Sequence, residues 1–321
     1  MLTVLALAAL TLPDSCQVVR EFVVQTAAGH RIAAEVITGI RARARPTVLL
    51  IPGAGQDTRT YATDTGSDSP GNAAWAVITR ALVGAGYAVI RFDERGTGQS
   101  TGDYLATATT ATLADDVHSL VIAAGRMPEI ARESIALLGF SEGGAIAPLV
   151  ASRSARVRAV VLLAAPAWTG QRIMDWQHAY AIEHGDWSDR NSTQEKRSAY
   201  LTKEHAERVA REPWYRFFLQ YDPLPAMRQL RVPALILQGQ QDVQVTPEQA
   251  EELAAATRQS DSRRVTVVYF PQLDHTFETL PRSTYRTPFR NEVVETVVTW
   301  LRRELPGRPE LRACGVRPGA T

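Results

Sequence analysis

Short apolar runs alternate with amphipathic helical stretches along most of the chain, and this rhythm constrains the fold more than any other feature. A hairpin-like pair of strands at 21–25 and 31–37 comes first, with Ala28-Gly29 as its turn. Most of the later runs are almost continuously apolar, which is typical of strands covered on both faces. We therefore expect an α/β fold with a doubly wound, mostly parallel sheet. The later strands are predicted at 47–52, 87–93, 134–140, 157–166, 233–239 and 265–270, and the helices at 74–86, 113–126, 142–154, 247–258 and 291–304.

One segment interrupts this alternation. Residues 167–230 have no strand pattern, have helical character, and contain four of the six tryptophans. We expect a helical cap inserted between two core strands. The alternative is a surface helical excursion whose aromatic side chains pack inward. The expected organisation is a candidate signal segment at 1–20, a core of 21–166 and 231–305, the cap, and a loose tail at 306–321.

Lysine is almost absent, which excludes several classes of enzyme. Of 35 lysines and arginines, only Lys196 and Lys203 are lysines, and both lie in the predicted cap. A P-loop, a pyridoxal-phosphate site and a protein kinase each need a lysine in a defined setting that this sequence lacks. The net charge of +1 gives no electrostatic reason to expect nucleic acid or an anionic membrane as a partner.

The most informative segment is SIALLGFSEGG, residues 134–144. A predicted strand runs into Gly139-Phe140-Ser141-Glu142-Gly143, and a helical pattern begins at once. G-x-S-x-G between a buried strand and a helix is the context of a nucleophile elbow, in which a sharp turn lifts the serine above the sheet. The glycines let the strand and the helix approach closely. Ser141 is therefore the candidate nucleophile, and the alternative is a glycine-rich turn without chemistry.

A serine nucleophile needs a base and an acid, and position selects them. Among the six histidines, His275 alone follows the last core strand, at the edge where a doubly wound sheet places its site. Asp242 follows strand 233–239 at the same edge, and the order Ser141, Asp242, His275 is typical of this kind of fold. Asp222 is the better rival acid. Asp274 is a poor one, because adjacent side chains diverge.

These motifs resemble the α/β-hydrolase superfamily from about residue 20 to 305, and most of all its bacterial serine esterase and serine-aminopeptidase-like branch. Four segments besides the elbow carry the resemblance: LIPGAG (50–55), RFDERGTGQS (91–100), QGQQD (238–242) and DHTF (274–277). The superfamily usually has His-Gly where this chain has Pro52-Gly53, so a hydrogen-bonding ring is lost. The resemblance implies a serine hydrolase that needs no cofactor and no metal.

The oxyanion hole is expected from two backbone N–H groups. One belongs to Glu142, the residue after the nucleophile. The resemblance implies Ala54 for the other, with Gly55 as the alternative. The side chain of Glu142 is unusual beside a nucleophile, and either caps its helix or contacts a substrate cation. We expect Asp93 and Arg95 to brace the loops near the site.

The expected function is hydrolysis of a small carboxylic ester of short to medium acyl length through an acyl-enzyme on Ser141. An aminopeptidase, amidase or acyl thioesterase with the same triad is the alternative. A non-catalytic binding module of the same fold is a remote one. The cap is expected to supply the acyl pocket, because aromatic side chains line binding sites of this kind. Its expected lining residues are Trp176, Trp214, Phe217 and Phe218.

The ends of the chain carry a separate signal. Residues 2–12, LTVLALAALTL, form an apolar run too short to span a bilayer but suited to a secretory signal. Export to the periplasm or medium of a bacterium is expected, although no basic residue precedes Arg20. A lipid-modified Cys16 or a cytoplasmic N-terminal element are alternatives. Cys16 and Cys314 have no metal-ligand spacing, and neither a disulfide nor a zinc site is expected.

Overall fold

An eight-stranded sheet forms the centre of the protein, with strand order β1-β2-β4-β3-β5-β6-β7-β8. The computed structural model describes residues 16–40, 43–59, 70–185, 192–259, 264–279 and 289–307. The strands are β1 (Gln17–Gln25), β2 (Arg31–Gly39), β3 (Arg45–Ile51), β4 (Ala88–Phe92), β5 (Ile130–Phe140), β6 (Val157–Leu163), β7 (Ala234–Gly239) and β8 (Val265–Phe270). The helices are α1 (Pro70–Gly84), α2 (Tyr104–Thr107), α3 (Thr110–Ala124), α4 (Glu142–Arg153), α5 (Gly170–His184), α6 (Gln194–Arg211), α7 (Pro213–Gln220), α8 (Leu224–Arg228), α9 (Glu248–Arg258) and α10 (Asn291–Glu304).

The expected α/β fold with a mostly parallel sheet is confirmed. The hairpin β1–β2 is antiparallel and joins β4 antiparallel, while β3 to β8 pair in parallel. Successive residues of β3 point to opposite faces: Val48 and Leu50 pack with α1 and α10, whereas Leu49 and Ile51 pack in the layer of α3 and α4. Both faces are covered, which is why the central strands are apolar at nearly every position.

Several element boundaries differ from the sequence-based expectation. The predicted strand 157–166 ends earlier, at Leu163, because Ala164 adopts a positive φ of 48° that breaks the extended backbone. The first strand begins at Gln17 rather than at residue 21. The single turn α2 was not predicted at all, and Asp103 caps it by accepting a hydrogen bond from the Ala106 amide.

The helices α5 to α8 lie between β6 and β7 in the chain, and we call residues 167–230 the insertion. Its longest helix, α6, has no buried residue. By contrast α7 buries Tyr215 and Leu219, and it contacts α2 and α3 of the core as well as α5 and α6. The short helix α8, which buries Ala226 and Met227, packs on α9 and α4. The insertion therefore meets the core through two short helices, α7 and α8.

The N-terminal region corrects one expectation. Cys16 is disulfide-bonded, so the expectation of no disulfide was wrong, and lipid attachment to its sulfur is incompatible with the bond. The only other cysteine in the sequence, Cys314, lies outside the described residues, as does the apolar run at 2–12. Within the described ranges, no helix combines the length and the apolar character needed to cross a membrane.

Candidate active site

The sequence-predicted site residues come together at the carboxyl edge of the parallel strands. Ser141 follows β5, Asp242 follows β7, and His275 lies in the loop after β8. Ala54 lies in the loop after β3, the strand beside β5. The carboxyl ends of parallel strands meet at one edge of a sheet, so residues far apart in sequence share one site.

The backbone around Ser141 forms a strained turn. Ser141 has φ 51° and ψ −117°, a conformation that costs a non-glycine residue about 1–3 kcal/mol. Its amide donates to the Leu163 carbonyl of β6 over 2.8 Å, which holds the turn in place. A Cβ atom at Gly139 would lie 2.0 Å from the Gly143 carbonyl oxygen, and one at Gly143 would lie 2.3 Å from that of Ile51. Both positions therefore require glycine.

Ser141, His275 and Asp242 form a continuous chain of hydrogen bonds. The His275 Nε2 atom lies 3.2 Å from the Ser141 Oγ, and its Nδ1 lies 2.8 Å from the Asp242 Oδ2. An ionised carboxylate only accepts hydrogen bonds, so it favours the tautomer with the proton on Nδ1 and leaves Nε2 free to accept from the serine. Asp242 and His275 are both buried. This arrangement can transfer the serine proton to the imidazole.

The carboxylate of Asp242 is fixed by its own turn. Its Oδ1 accepts from the amides of Gln244 and Val245 over 2.8 and 2.9 Å, and its Oδ2 accepts from the Gln238 side chain over 3.0 Å. The two rival acids have other local partners. The Asp222 Oδ1 accepts from the Leu224 amide over 3.0 Å, and the Asp274 Oδ1 accepts from three donors within its own loop.

Two backbone amides are available for a developing oxyanion. Glu142 is the first residue of α4, so its N–H lies at the positive end of the helix dipole. Ala54 and Glu142 both line the cavity that Ser141 and His275 line. Across the described ranges, neither the Ala54 amide nor the Glu142 amide donates to another protein group. Both N–H groups are therefore free for a ligand.

The turn after β4 braces the loop that contains Ala54. Asp93 accepts from the Arg59 amide and pairs with the Arg59 guanidinium over 2.7 Å. Glu94 accepts from the Asp57 amide over 2.9 Å. Burial raises the pKa of Asp57 to about 6 and that of Glu94 well above its ordinary value. Arg95 pairs with Asp116 over 2.8 Å, so the expected bracing role of this turn is present.

A cavity of about 280 Å³ opens above the candidate nucleophile. Of the four aromatic residues expected to line it, Trp214 and Phe218 do so. Trp176 and Phe217 are not among the lining residues, which corrects the expectation for these two. Trp214 and Phe218 are four apart on α7 and share one face, whereas Phe217 stacks on Tyr221. Further lining residues were not predicted, among them Trp168, Ile173, Met174 and Tyr221.

The insertion is hydrogen-bonded to the loop of the candidate acid. Trp176, on α5, donates from its indole Nε1 to the Val243 carbonyl over 2.9 Å. Its neighbour Gln177 donates to the Gln244 carbonyl over 3.0 Å. Trp176 thus contacts the turn that orients Asp242 instead of the cavity. No signal in the sequence pairs these positions, since they are 67 residues apart.

The side chain of Glu142 neither caps its helix nor pairs with a cation among the described residues. Its Oε1 accepts from the Thr110 hydroxyl over 2.6 Å, and its two oxygens both accept from the Trp214 indole, over 2.8 and 3.0 Å. Burial raises its pKa, and the hydrogen bonds from Thr110 and Trp214 lower it in part.

Among the described residues no cluster of His, Cys, Asp and Glu is suited to hold a metal ion.

Comparison with known proteins assigns the family. The model of the family described as serine aminopeptidase, S33, matches residues 73–279, more than half of the chain. The chain belongs to this family of α/β-hydrolases. The match includes Ser141, Asp242 and His275. No curated protein matches the hydrolase.

Solved structures with the same fold include esterases and a peptidase. The Pyrococcus furiosus esterase Pf2001 is 16% identical to the hydrolase, with a TM-score of 0.61 and with 91% of this chain and 92% of that chain covered. Acetyl xylan esterase 1 from a Thermoanaerobacterium is 17% identical, with a TM-score of 0.52 and coverages of 82% and 80%. The Pyrococcus horikoshii acylaminoacyl peptidase is 15% identical, with a TM-score of 0.60, and covers 92% of this chain and 43% of its own. At these identities the likeness shows the fold alone.

Proposed function

We propose that the protein is a serine carboxylesterase acting on small esters of short to medium acyl length. The observation that carries the proposal is the chain of hydrogen bonds from Ser141 through His275 to Asp242. Ser141 and His275 line a cavity whose other lining residues are largely aromatic and aliphatic. Such a cavity suits an apolar acyl chain better than a charged one. The family and the fold support a hydrolase of this mechanism.

The proposed reaction uses each group in turn. His275 accepts the proton of Ser141 at Nε2 while the Oγ attacks the acyl carbon, and the imidazolium is stabilised by Asp242. The amides of Ala54 and Glu142 donate to the oxyanion, each contributing roughly 3–4 kcal/mol to transition-state binding. His275 then returns the proton to the departing alcohol, leaving an acyl-enzyme. A water that gives its proton to His275 attacks the ester of Ser141, which releases the acid and restores the serine.

A series of p-nitrophenyl esters from acetate to decanoate tests this proposal. We expect turnover by the wild-type protein and none above background by Ser141→Ala, with labelling of the wild type alone by a fluorophosphonate. Undiminished turnover by Ser141→Ala would reject the proposed nucleophile. Labelling of Ser141 without hydrolysis of any ester would leave a serine hydrolase but reject the ester as substrate.

A second candidate is cleavage of peptides with a free N-terminus. It is favoured by Glu142, a carboxylate on the cavity wall that has no arginine or lysine partner within the described ranges. A substrate ammonium group would supply the missing positive charge. Alanine p-nitroanilide and its N-acetyl derivative separate the candidates, because only an aminopeptidase should prefer the free amine. Good ester turnover with neither anilide cleaved would remove this candidate.

We propose that the protein is exported. The disulfide of Cys16 supports this, since disulfides persist in oxidising compartments, and so does the apolar run at 2–12. N-terminal sequencing of protein from fractionated cells tests it. Recovery from the cytoplasm with residues 2–12 intact would contradict export.

A further inference from the structure

Glu142 follows the nucleophile directly, and the proposed reaction uses its backbone amide but not its side chain. Its carboxylate is buried and, among the described groups, ties together three helices that are distant in sequence. Thr110 at the start of α3 donates to its Oε1, and Trp214 on α7 donates to both Oε1 and Oε2, over 2.8 and 3.0 Å. Glu142 itself begins α4, so one carboxylate links the elbow, the core layer beside it and the insertion.

The partner Trp214 belongs to the aromatic wall of the cavity. Its ring stacks on Phe218 with centroids 5.1 Å apart and planes 7° apart. Tyr215, the third aromatic residue of this wall, is covered by the Arg208 guanidinium at 4.0 Å. The hydrogen bond from the Trp214 indole to Glu142 therefore fixes the position of the α7 face that lines the cavity.

Losing the acceptor at Glu142 would leave the buried Thr110 hydroxyl and the partly buried Trp214 indole without this partner. Such donors are costly, so the indole and the Thr110 hydroxyl would turn toward other acceptors or toward water in the cavity. For Trp214 this means a rotation of the ring away from Phe218. The wall of the pocket would then no longer match an extended acyl chain.

We propose that Glu142 is a positioning residue that sets acyl-chain selectivity, by fixing the aromatic wall of α7 against the nucleophile elbow. The inference rests on the proposed esterase function. What matters is an acceptor oxygen that both the Thr110 hydroxyl and the Trp214 indole can reach, and the negative charge is not required. The side chain thus acts on the substrate through Trp214 and Phe218.

The test compares kcat/KM for p-nitrophenyl acetate and octanoate. Glu142→Leu is expected to lower the value for octanoate about 5–30-fold more than that for acetate, the range that corresponds to an unpaired buried donor. Glu142→Gln keeps an acceptor oxygen and is expected to restore the wild-type ratio. Glu251→Leu is the control, because Glu251 also accepts from an aromatic side chain, the Tyr269 hydroxyl, over 3.2 Å, but neither residue lines the cavity.

Two further variants keep the inference falsifiable. Trp214→Phe removes the indole N–H but keeps an aromatic ring, and is expected to show the octanoate defect even if Glu142→Leu does not fold. In the double variant Glu142→Leu/Trp214→Phe, the two losses of octanoate turnover should not add, because both substitutions break the same hydrogen bond. The inference would be overturned if Trp214→Phe kept the wild-type ratio of kcat/KM for octanoate to that for acetate. It would also be overturned if Glu142→Gln lowered this ratio as much as Glu142→Leu. Absence of ester turnover by the wild type would instead reject the proposed function.

Discussion

The core and the insertion are built in different ways. The core encloses its strands between two helical layers, and residues such as Leu49 and Leu138 have no exposed surface. The insertion carries an 18-residue helix, α6, without one buried residue. Its two ends reach the apolar core, through residues such as Ile173 and Met227, and near the site it is fastened by individual hydrogen bonds from Trp176, Gln177 and Trp214. Under the proposed function, core loops hold the reacting groups and the insertion contributes aromatic walls to the cavity.

Removing the proposed base should have the largest effect. His275→Ala is expected to lower kcat for a short ester by about four orders of magnitude or more, because His275 is the only described side chain hydrogen-bonded to the Ser141 hydroxyl. The control is His184→Ala, since His184 stacks on Tyr180 in the insertion and is half exposed. Both values of kcat are measured by steady-state kinetics at pH 8. Comparable decreases in the two variants would contradict the view that the reacting groups lie in the core and not in the insertion.

The proposed acid should come next. Asp242→Asn is expected to lower kcat by about three to four orders of magnitude, because an amide favours the wrong tautomer of His275. Asp222→Asn is the matched control, since Asp222 accepts from the Leu224 amide near the end of the insertion and no hydrogen bond joins it to His275. If Asp222→Asn were the defective variant, the assignment of the acid would be wrong.

The contact between the insertion and the acid loop should have a moderate effect. Trp176→Phe removes the hydrogen bond to the Val243 carbonyl, and a net loss of about 0.5–1.5 kcal/mol predicts a decrease in kcat of about 2–10-fold with little change in KM. Gln171→Leu is the control, because it removes a hydrogen bond that lies within the same helix, from the Gln171 amide to Asp175. A change in KM alone would indicate that Trp176 acts on substrate binding instead.

The smallest expected effect concerns stability. Asp57 has a pKa of about 6 in the folded protein against an ordinary value of 3.8. Well below pH 4 the Asp57 carboxyl is protonated in both the folded and the unfolded protein, so it does not affect the free energy of unfolding. Between pH 4 and 6 it ionises in the unfolded protein but largely stays protonated in the folded one, so folding becomes less favourable as the pH rises. Above pH 6 it is ionised in both states and the loss of stability is constant. Asp57→Asn should therefore be more stable at pH 7 by on the order of 1 kcal/mol. A gain of the same size at pH 4, in urea unfolding curves, would contradict the burial of a charge as its cause.

The parts of the site that the sequence predicts are those with a local signature. The strand before Ser141, the helix after it and the glycines between them lie within eleven residues, and the steric need for Gly139 and Gly143 is a local property. Asp242 and His275 could be selected because parallel strands place their carboxyl ends at one edge. The periodicity of α10 predicts both of its ends.

The parts that could not be predicted depend on contacts between distant segments. The expectation that Trp176 lines the pocket fails because its indole finds a carbonyl 67 residues away. The tie between Glu142 and Trp214 spans 72 residues, and the disulfide of Cys16 has no spacing motif. Such pairs are decided by how helices pack, and periodicity carries no information about them.

The two lysines give the molecule an unusual chemical asymmetry. Lys196 and Lys203 are both exposed and both lie on α6, while the core contains no lysine at all. Apart from the terminal amine, an amine-reactive fluorophore or an activated resin would therefore attach to one helix of the insertion only. A dye placed there would report on the insertion without modifying any group of the site, and immobilisation through these amines would hold every molecule by the same face.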